Sequence, residues 1–314
     1  MNDKKTGNLA VIAGIFIFGI NFVSMKYLID YIPPTTLSFL RFAIASIFLL
    51  FITKLREIKA KNHYEIKSED KVAVMISGFL GVAIYYFFQG MALVYISASL
   101  AALICSMIPI FTLLTNVLIY KKKLEGFLVI NFIVAIIGVL LVLDIKWEDP
   151  IDFNQLMGMA LMFMAVFSWI AYTIKTYQLQ RKYDSIFLLY KQINYGTILL
   201  FIASIFNLRQ IIYISIADEN LLPILANLFF VGVISSALGY LFYIYGMEKL
   251  GVDIASLYMN LIPAVTAIFS YFVLMEPMTM KKAIGILLVI LSLYAVSLKD
   301  WIQNKRSATV RISS

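Results

Sequence analysis

Histidine and cysteine each occur once, as His63 and Cys105, and only 14% of the residues are charged. The lone cysteine lies in an apolar run, so the chain can form neither an internal disulfide nor a thiol-based metal site. A single histidine in a polar loop supplies no paired-histidine metal motif and no nucleophile–base pair. No glycine loop with its lysine is present to cradle phosphate. Catalysis, a bound metal and a resident cofactor are therefore not expected. The scarcity of charge excludes more, because an ordinary soluble domain carries about 25% charged residues.

What is abundant is apolar: 62% of the 314 residues are hydrophobic. The apolar runs continue around every helical face instead of forming one stripe, which suits lipid and not water. At about 1.5 Å rise per residue, a helix needs about 20 residues to cross the hydrocarbon while satisfying its own backbone. Ten runs meet that length, near residues 8–29, 35–54, 71–95, 98–120, 124–143, 157–178, 185–207, 221–247, 252–275 and 282–298. The fold class expected is an all-α polytopic membrane protein of ten transmembrane helices. Met1–Gly7 is short and polar with no secretory cleavage site, so the first span is read as retained. Pro33-Pro34 should end it.

The net charge of +8 is spread over loops and termini, so nucleic acid is not an expected partner. An inside N-terminus places Lys4, Lys5, Lys54, Arg56, Lys59, Lys61, Lys67, Lys71, Lys121–Lys123, Arg181, Lys182 and the basic tail on one side. The other side receives only Lys146, Arg209, Lys281 and Lys282. Both termini are thus expected to be cytoplasmic in a multi-pass protein of the cell membrane.

The two halves resemble each other. Ala102–Pro109 (ALICSMIP) matches Ser256–Pro263 (SLYMNLIP) at an offset of 154 residues, which also sets Ala101 on Ala255, Ala92 on Gly246 and Asn131 on Gly285. The expected organisation is a five-helix repeat over 1–146, a connector over 147–156, a second five-helix repeat over 157–300 and a cytoplasmic tail over 301–314. Five is odd, so the second copy enters the membrane from the opposite side. Lys122 accordingly gives way to Glu276 at the same offset. Inverted repeats are the recurrent plan of secondary transporters.

Several motifs follow one another in order: Phe18-Gly19-Ile20-Asn21-Phe22-Val23 with Lys26, Arg41-Phe42, Ala92-Leu93 with Tyr95 and Ser97, the Pro109 segment, and Pro263 followed by Glu276-Pro277. Over nearly its whole length the chain resembles the EamA-type transporters of the drug/metabolite transporter superfamily. The resemblance implies a ten-helix exporter or exchanger of amino acids or other small metabolites, with its cavity between the halves. The chain departs from the family pattern at Phe18, where the family commonly has tryptophan, and at Lys122, where it commonly has glutamate.

Ionisable groups inside a span cost at least about 2.5–3.5 kcal/mol near its centre. Lys26, Lys175 and Lys191 lie close enough to span ends to snorkel. Arg41 has two readings: its planar fork faces the cavity and binds a substrate carboxylate, or it anchors the Pro33-Pro34 turn. No Asp or Glu sits in mid-span, so a buried carboxylate proton relay is not expected.

The candidate substrate-binding residues are Asn21, Arg41, Gln89, Ser106, Trp169, Tyr172, Tyr240, Tyr258 and Asn260, with Thr112 and Tyr243 beside them. Their polar groups can orient a ligand while their rings line an apolar pocket, although interhelical bonding or packing would use the same residues. Ser106 and Asn260 superpose in the repeat, each three residues before its proline. Pro109 and Pro263 should kink their helices at matched depths and are the candidate gating positions.

The function expected is alternating-access transport of a small amphipathic metabolite, an amino acid being one option. A channel or a lipid-handling scaffold is the alternative. The partners are the lipid bilayer and the small-molecule substrate, and a homodimer is one arrangement left open.

Overall fold

The structure, a computed structural model, describes residues 2–60, 64–109, 111–112, 115, 126–143, 153–207, 221–273, 275, 278–292 and 295. His63, Lys121–Lys123, Glu276-Pro277, residues 147–152 of the expected connector and the 301–314 tail lie outside them.

Among the described residues every regular element is helical. They are α1 (Asn2–Leu28), α2 (Pro34–Ala60), α3 (Ser68–Tyr95), α4 (Ala98–Ser106), α5 (Gly126–Leu143), α6 (Phe153–Leu179), α7 (Ser185–Asn207), α8 (Leu221–Leu250), α9 (Val252–Val273) and α10 (280–292). Seven of them, α1 to α3 and α6 to α9, are long and apolar enough to cross a membrane. The shorter α4, α5 and α10 fall in the remaining three apolar runs.

The helix ends outrun the sequence expectation. α1 begins at Asn2, α2 continues to Ala60, and α6 begins at Phe153, which takes the last four residues of the expected connector. A 27-residue helix is about 40 Å long, enough to cross the hydrocarbon and continue through the headgroups, where intrahelical bonding is still the cheapest way to satisfy the backbone.

Turn chemistry fixes the corners. Pro34 opens α2, where its missing N–H is not needed, and the Pro33 carbonyl accepts from Leu37 N–H at 2.8 Å. Ser97 Oγ caps α4 by accepting from Leu100 N–H at 3.2 Å. Asp184 caps α7 by accepting from Ile186 and Phe187 N–H at 3.1 and 3.0 Å. Gly251 ends α8 at φ +88°, a conformation that side-chain-bearing residues rarely adopt.

Two helices widen into π-helical turns, α3 at Phe79–Ile84 and α8 at Phe230–Gly239. Such turns leave carbonyls without their usual partner, and side chains supply one. Ser168 Oγ donates to Leu80 O at 2.6 Å, Tyr240 OH to Gly81 O at 2.7 Å, and Ser236 Oγ to Val231 O at 2.7 Å. Tyr240→Phe should therefore cost about 1–2 kcal/mol by stranding a buried carbonyl. Thermal unfolding in detergent checks this, and an unchanged Tm would contradict it.

Helix pairings recur with the halves exchanged. α1 packs on α8 and α9, and α6 packs on α3 and α4. α2 packs on α7 and α8, and α7 packs on α2 and α3. An offset of 151 residues carries Asn2–Leu28 onto Phe153–Leu179 and Pro34 onto Ser185. The offset of 154 carries Ala98 onto Val252 and sets the π turn of α3 inside that of α8. The offset of 154 thus relates α3 and α4 to α8 and α9, whereas the boundaries of α1 and α2 relate to those of α6 and α7 at an offset three residues shorter.

The polar ends sort to two sides. At one, Arg56 pairs with Asp184 at 3.1 Å, Lys182 with Asp70 at 3.0 Å, and Ser185 donates to Glu248 at 2.7 Å. Asp70 also accepts from Tyr183 OH at 2.8 Å and holds the Lys182 ammonium above its ordinary pKa. At the other end Lys26 Nζ donates to Leu93 O at 2.7 Å, capping the last turn of α3. Lys26 is thus a fixed contact between α1 and α3. Between the ends the outward faces are apolar, as at Ile47, Phe51 and Phe206.

Candidate substrate cavity

The helices converge on a narrow cavity with room for about one water molecule. From α1 it is lined by Phe18, Asn21 and Phe22, which share one helical face by their spacing of three and four residues. α3 contributes Tyr85, Tyr86 and Gln89, and α6 contributes Trp169. The remaining wall comes from Cys105 and Ile108 in the first half and Met259 and Ile262 in the second. The offset of 154 pairs Cys105 with Met259 and Ile108 with Ile262, so this wall is built from equivalent positions of the two halves.

Both wall segments sit beside a break in their helix. α4 stops at Ser106, with Met107 N–H bonding to Ile104 O at 3.1 Å, and α9 tightens to a 3-10 turn over Tyr258–Asn260. Each break lies just before the proline, Pro109 or Pro263, whose ring crowds the carbonyl four residues earlier.

Trp169 is the hub of the aromatic lining. Its ring lies 5.0 Å from Tyr85, 5.3 Å from Tyr172, 5.4 Å from Tyr240, 5.6 Å from Tyr243 and 6.0 Å from Phe18. Gln89 Nε2 donates to Tyr85 OH at 3.2 Å, and that hydroxyl lies 3.5 Å from Cys105 Sγ. Gln89 Oε1, Trp169 Nε1 and both amide atoms of Asn260 are buried without a hydrogen-bond partner. Most buried polar groups in folded proteins are paired, so these are groups able to receive a ligand.

Arg41 is fully buried on α2. Its Nε donates to Ser236 Oγ at 2.7 Å and Nη2 to Ser235 Oγ at 3.2 Å, while Ser235 Oγ donates to Asn21 Oδ1 at 3.0 Å. The guanidinium lies 4.4 Å over the Tyr86 ring and 5.1 Å over that of Phe42. Nη1 has no partner. Instead of anchoring the Pro33-Pro34 turn, Arg41 ties α2 to the π turn of α8, with Tyr86 and Asn21 between it and the cavity. The offset of 151 sets Gln192 at the equivalent place on α7, where its Nε2 donates to Ser77 and Thr176 hydroxyls at 2.8 and 2.9 Å. One half thus carries a charge where the other carries a neutral amide.

Of the sequence candidates, Asn21, Gln89 and Trp169 line the cavity, and Tyr172 and Tyr240 pack directly behind Trp169. Asn260 is fully buried, between the lining residue Met259 and the next turn of α9. Two candidates are used elsewhere. Ser106 Oγ donates within its own helix to Leu103 O at 2.6 Å, and Tyr258 OH donates to Asn8 Oδ1 at 3.0 Å. Sequence reasoning overlooked Phe18, Phe22, Tyr85, Tyr86, Cys105, Ile108, Met259 and Ile262 as lining residues. The proline-centred repeat held a usable signal for the last four, since it superposes them in pairs.

Comparison with known proteins agrees with this architecture. The model of the EamA-like transporter family matches residues 5–144 and again residues 156–298. The chain belongs to that family. An uncharacterized transporter of Archaeoglobus fulgidus is 28% identical over 279 residues, covering 89% of this chain and 94% of its own. The uncharacterized transporter YyaM of Bacillus subtilis is 26% identical over 289 residues, covering 91% and 92%. A solved crystal structure shares the fold with a TM-score of 0.72 at 14% identity, covering 94% of this chain and 97% of that one. This EamA-like chain is therefore a multi-pass membrane protein of a transporter family.

Proposed function

We propose that this chain is an alternating-access secondary carrier, an exporter or exchanger of a small amphipathic metabolite, amino acids being among the compounds of that kind. In this reading ten helices form two inverted five-helix repeats, and the cavity between them opens to one side at a time. The observation that carries the proposal is the cavity wall, in which Cys105 and Met259, and Ile108 and Ile262, meet as equivalent positions beside paired helix breaks. The exchanged packing of α1 on α8 and α6 on α3 supports two units that rock against each other. The basic side of the bundle, with Arg56, Lys67, Arg181 and Lys182, is taken as cytoplasmic together with the N-terminus.

A constriction with room for about one water favours a carrier over an open channel, because a metabolite has to wait for the walls to part. The test is counterflow. Proteoliposomes loaded with a pooled set of unlabelled amino acids and nucleosides should accumulate the labelled members transiently and saturably. Steady conductance without counterflow would support the channel reading, and movement of labelled lipid between leaflets the scaffold reading.

A further inference from the structure

Resting on that carrier reading, the geometry points to a substrate class: we infer that the transported species is a small organic anion, a carboxylate on an apolar body, and that Arg41 is its counter-charge. Arg41 is fully buried, and its hydrogen bonds go to neutral hydroxyls, those of Ser235, Ser236 and Tyr86. Its remaining contacts are the faces of Tyr86 and Phe42, which hold a cation in place without neutralising it. No described Asp or Glu pairs with it, and Nη1 stays unpartnered. A buried charge is normally paired, so the partner here comes from outside the chain.

Tyr86 is the element that makes this charge available. Its ring covers the guanidinium, and the same residue lines the cavity. Turning that ring aside exposes Nη1 to the cavity, where a carboxylate oxygen can accept from it. The donor Trp169 Nε1 adds a second bond for the anion, and Gln89 Oε1 accepts from any hydroxyl or amide the substrate carries. The surrounding rings receive the apolar body. A cation has no carboxylate to meet in this lining, and a zwitterion leaves its ammonium with neutral partners only.

The test compares three compounds with one apolar body and different charge: 3-phenylpropionate, phenylalanine and phenethylamine. The readout is protection of Cys105, the single cysteine and a lining residue, from N-ethylmaleimide in the purified full chain. The anion should half-protect at a concentration at least tenfold lower than either of the others. Arg41→Gln should abolish that preference. Because Arg41→Gln risks misfolding, Ser235→Asp serves as the second variant: it supplies an internal counter-charge beside Nη2 and should also erase the preference while leaving the chain folded. Equal protection by all three, protection by none, or a preference that survives Ser235→Asp overturns the inference. Counterflow on the same preparation separates the two readings. Exchange without anion preference leaves the carrier standing and removes this proposal, and anion preference without exchange removes the carrier reading, and with it the transport claim, leaving only an anion site at Arg41.

Discussion

Replacing Gly246 by leucine should remove most of the folded protein from a detergent extract. A Cβ at Gly246 would sit 2.8 Å from Gly7 O and 3.1 Å from Val11 N, both backbone atoms of α1, and closer still to the Val11 side chain. Flexible side chains can yield to such a contact, but two helix backbones cannot. The same interface is tight further along, where a Cβ at Gly14 would sit 3.0 Å from both Gly239 O and Tyr243 N. Overpacking of this kind costs about 1–3 kcal/mol where neighbours can adjust, and small residues are what let membrane helices approach this closely. Gly126 is the internal control. It has open space where a Cβ would go, so Gly126→Leu should change stability by less than about 0.5 kcal/mol. The monodisperse fraction and Tm of both variants report the result, and a Gly246→Leu protein that matches wild type would contradict the packing described for α1 and α8.

Trp169→Ala should lower counterflow roughly 100-fold, the range expected when a central tryptophan anchor is removed from a binding site. Trp169 touches five aromatic rings and its Nε1 is unpartnered, so truncation removes both the wall and a donor. Trp169→Phe separates the two effects by restoring most of the ring contact without the N–H, and its loss should be nearer tenfold. Wild-type exchange by a folded Trp169→Ala chain would mean that the transported molecule passes elsewhere.

Much of this organisation was legible in the residues. Chain-wide hydrophobicity marks the apolar helices, and the match of Ala102–Pro109 to Ser256–Pro263 marks the two segments that meet in the wall, though not which of their residues face it. The first two helices of each half were harder, because Phe18 and Trp169 follow a different offset and share no string of identical residues. Ser106 and Asn260 superpose at the offset of 154, yet the Ser106 hydroxyl bonds its own helix while the Asn260 side chain is buried unbonded. Which face of a helix looks inward depends on its rotation, and helices that are apolar all round carry no periodic stripe to set it. The π turns were illegible for a related reason, since their cause is a tertiary bond, such as Tyr240 to Gly81, that no local pattern announces.

A cavity reached alternately from both sides would present Cys105, the chain's one cysteine and a residue of the wall, to each side in turn. The measurement is the rate at which a membrane-impermeant organomercurial modifies Cys105 in sealed right-side-out and inside-out vesicles. Alternating access predicts modification from either side, slowed in both preparations by a transported substrate. Modification from one side alone, or none from either in a protein that exchanges substrate, would contradict it.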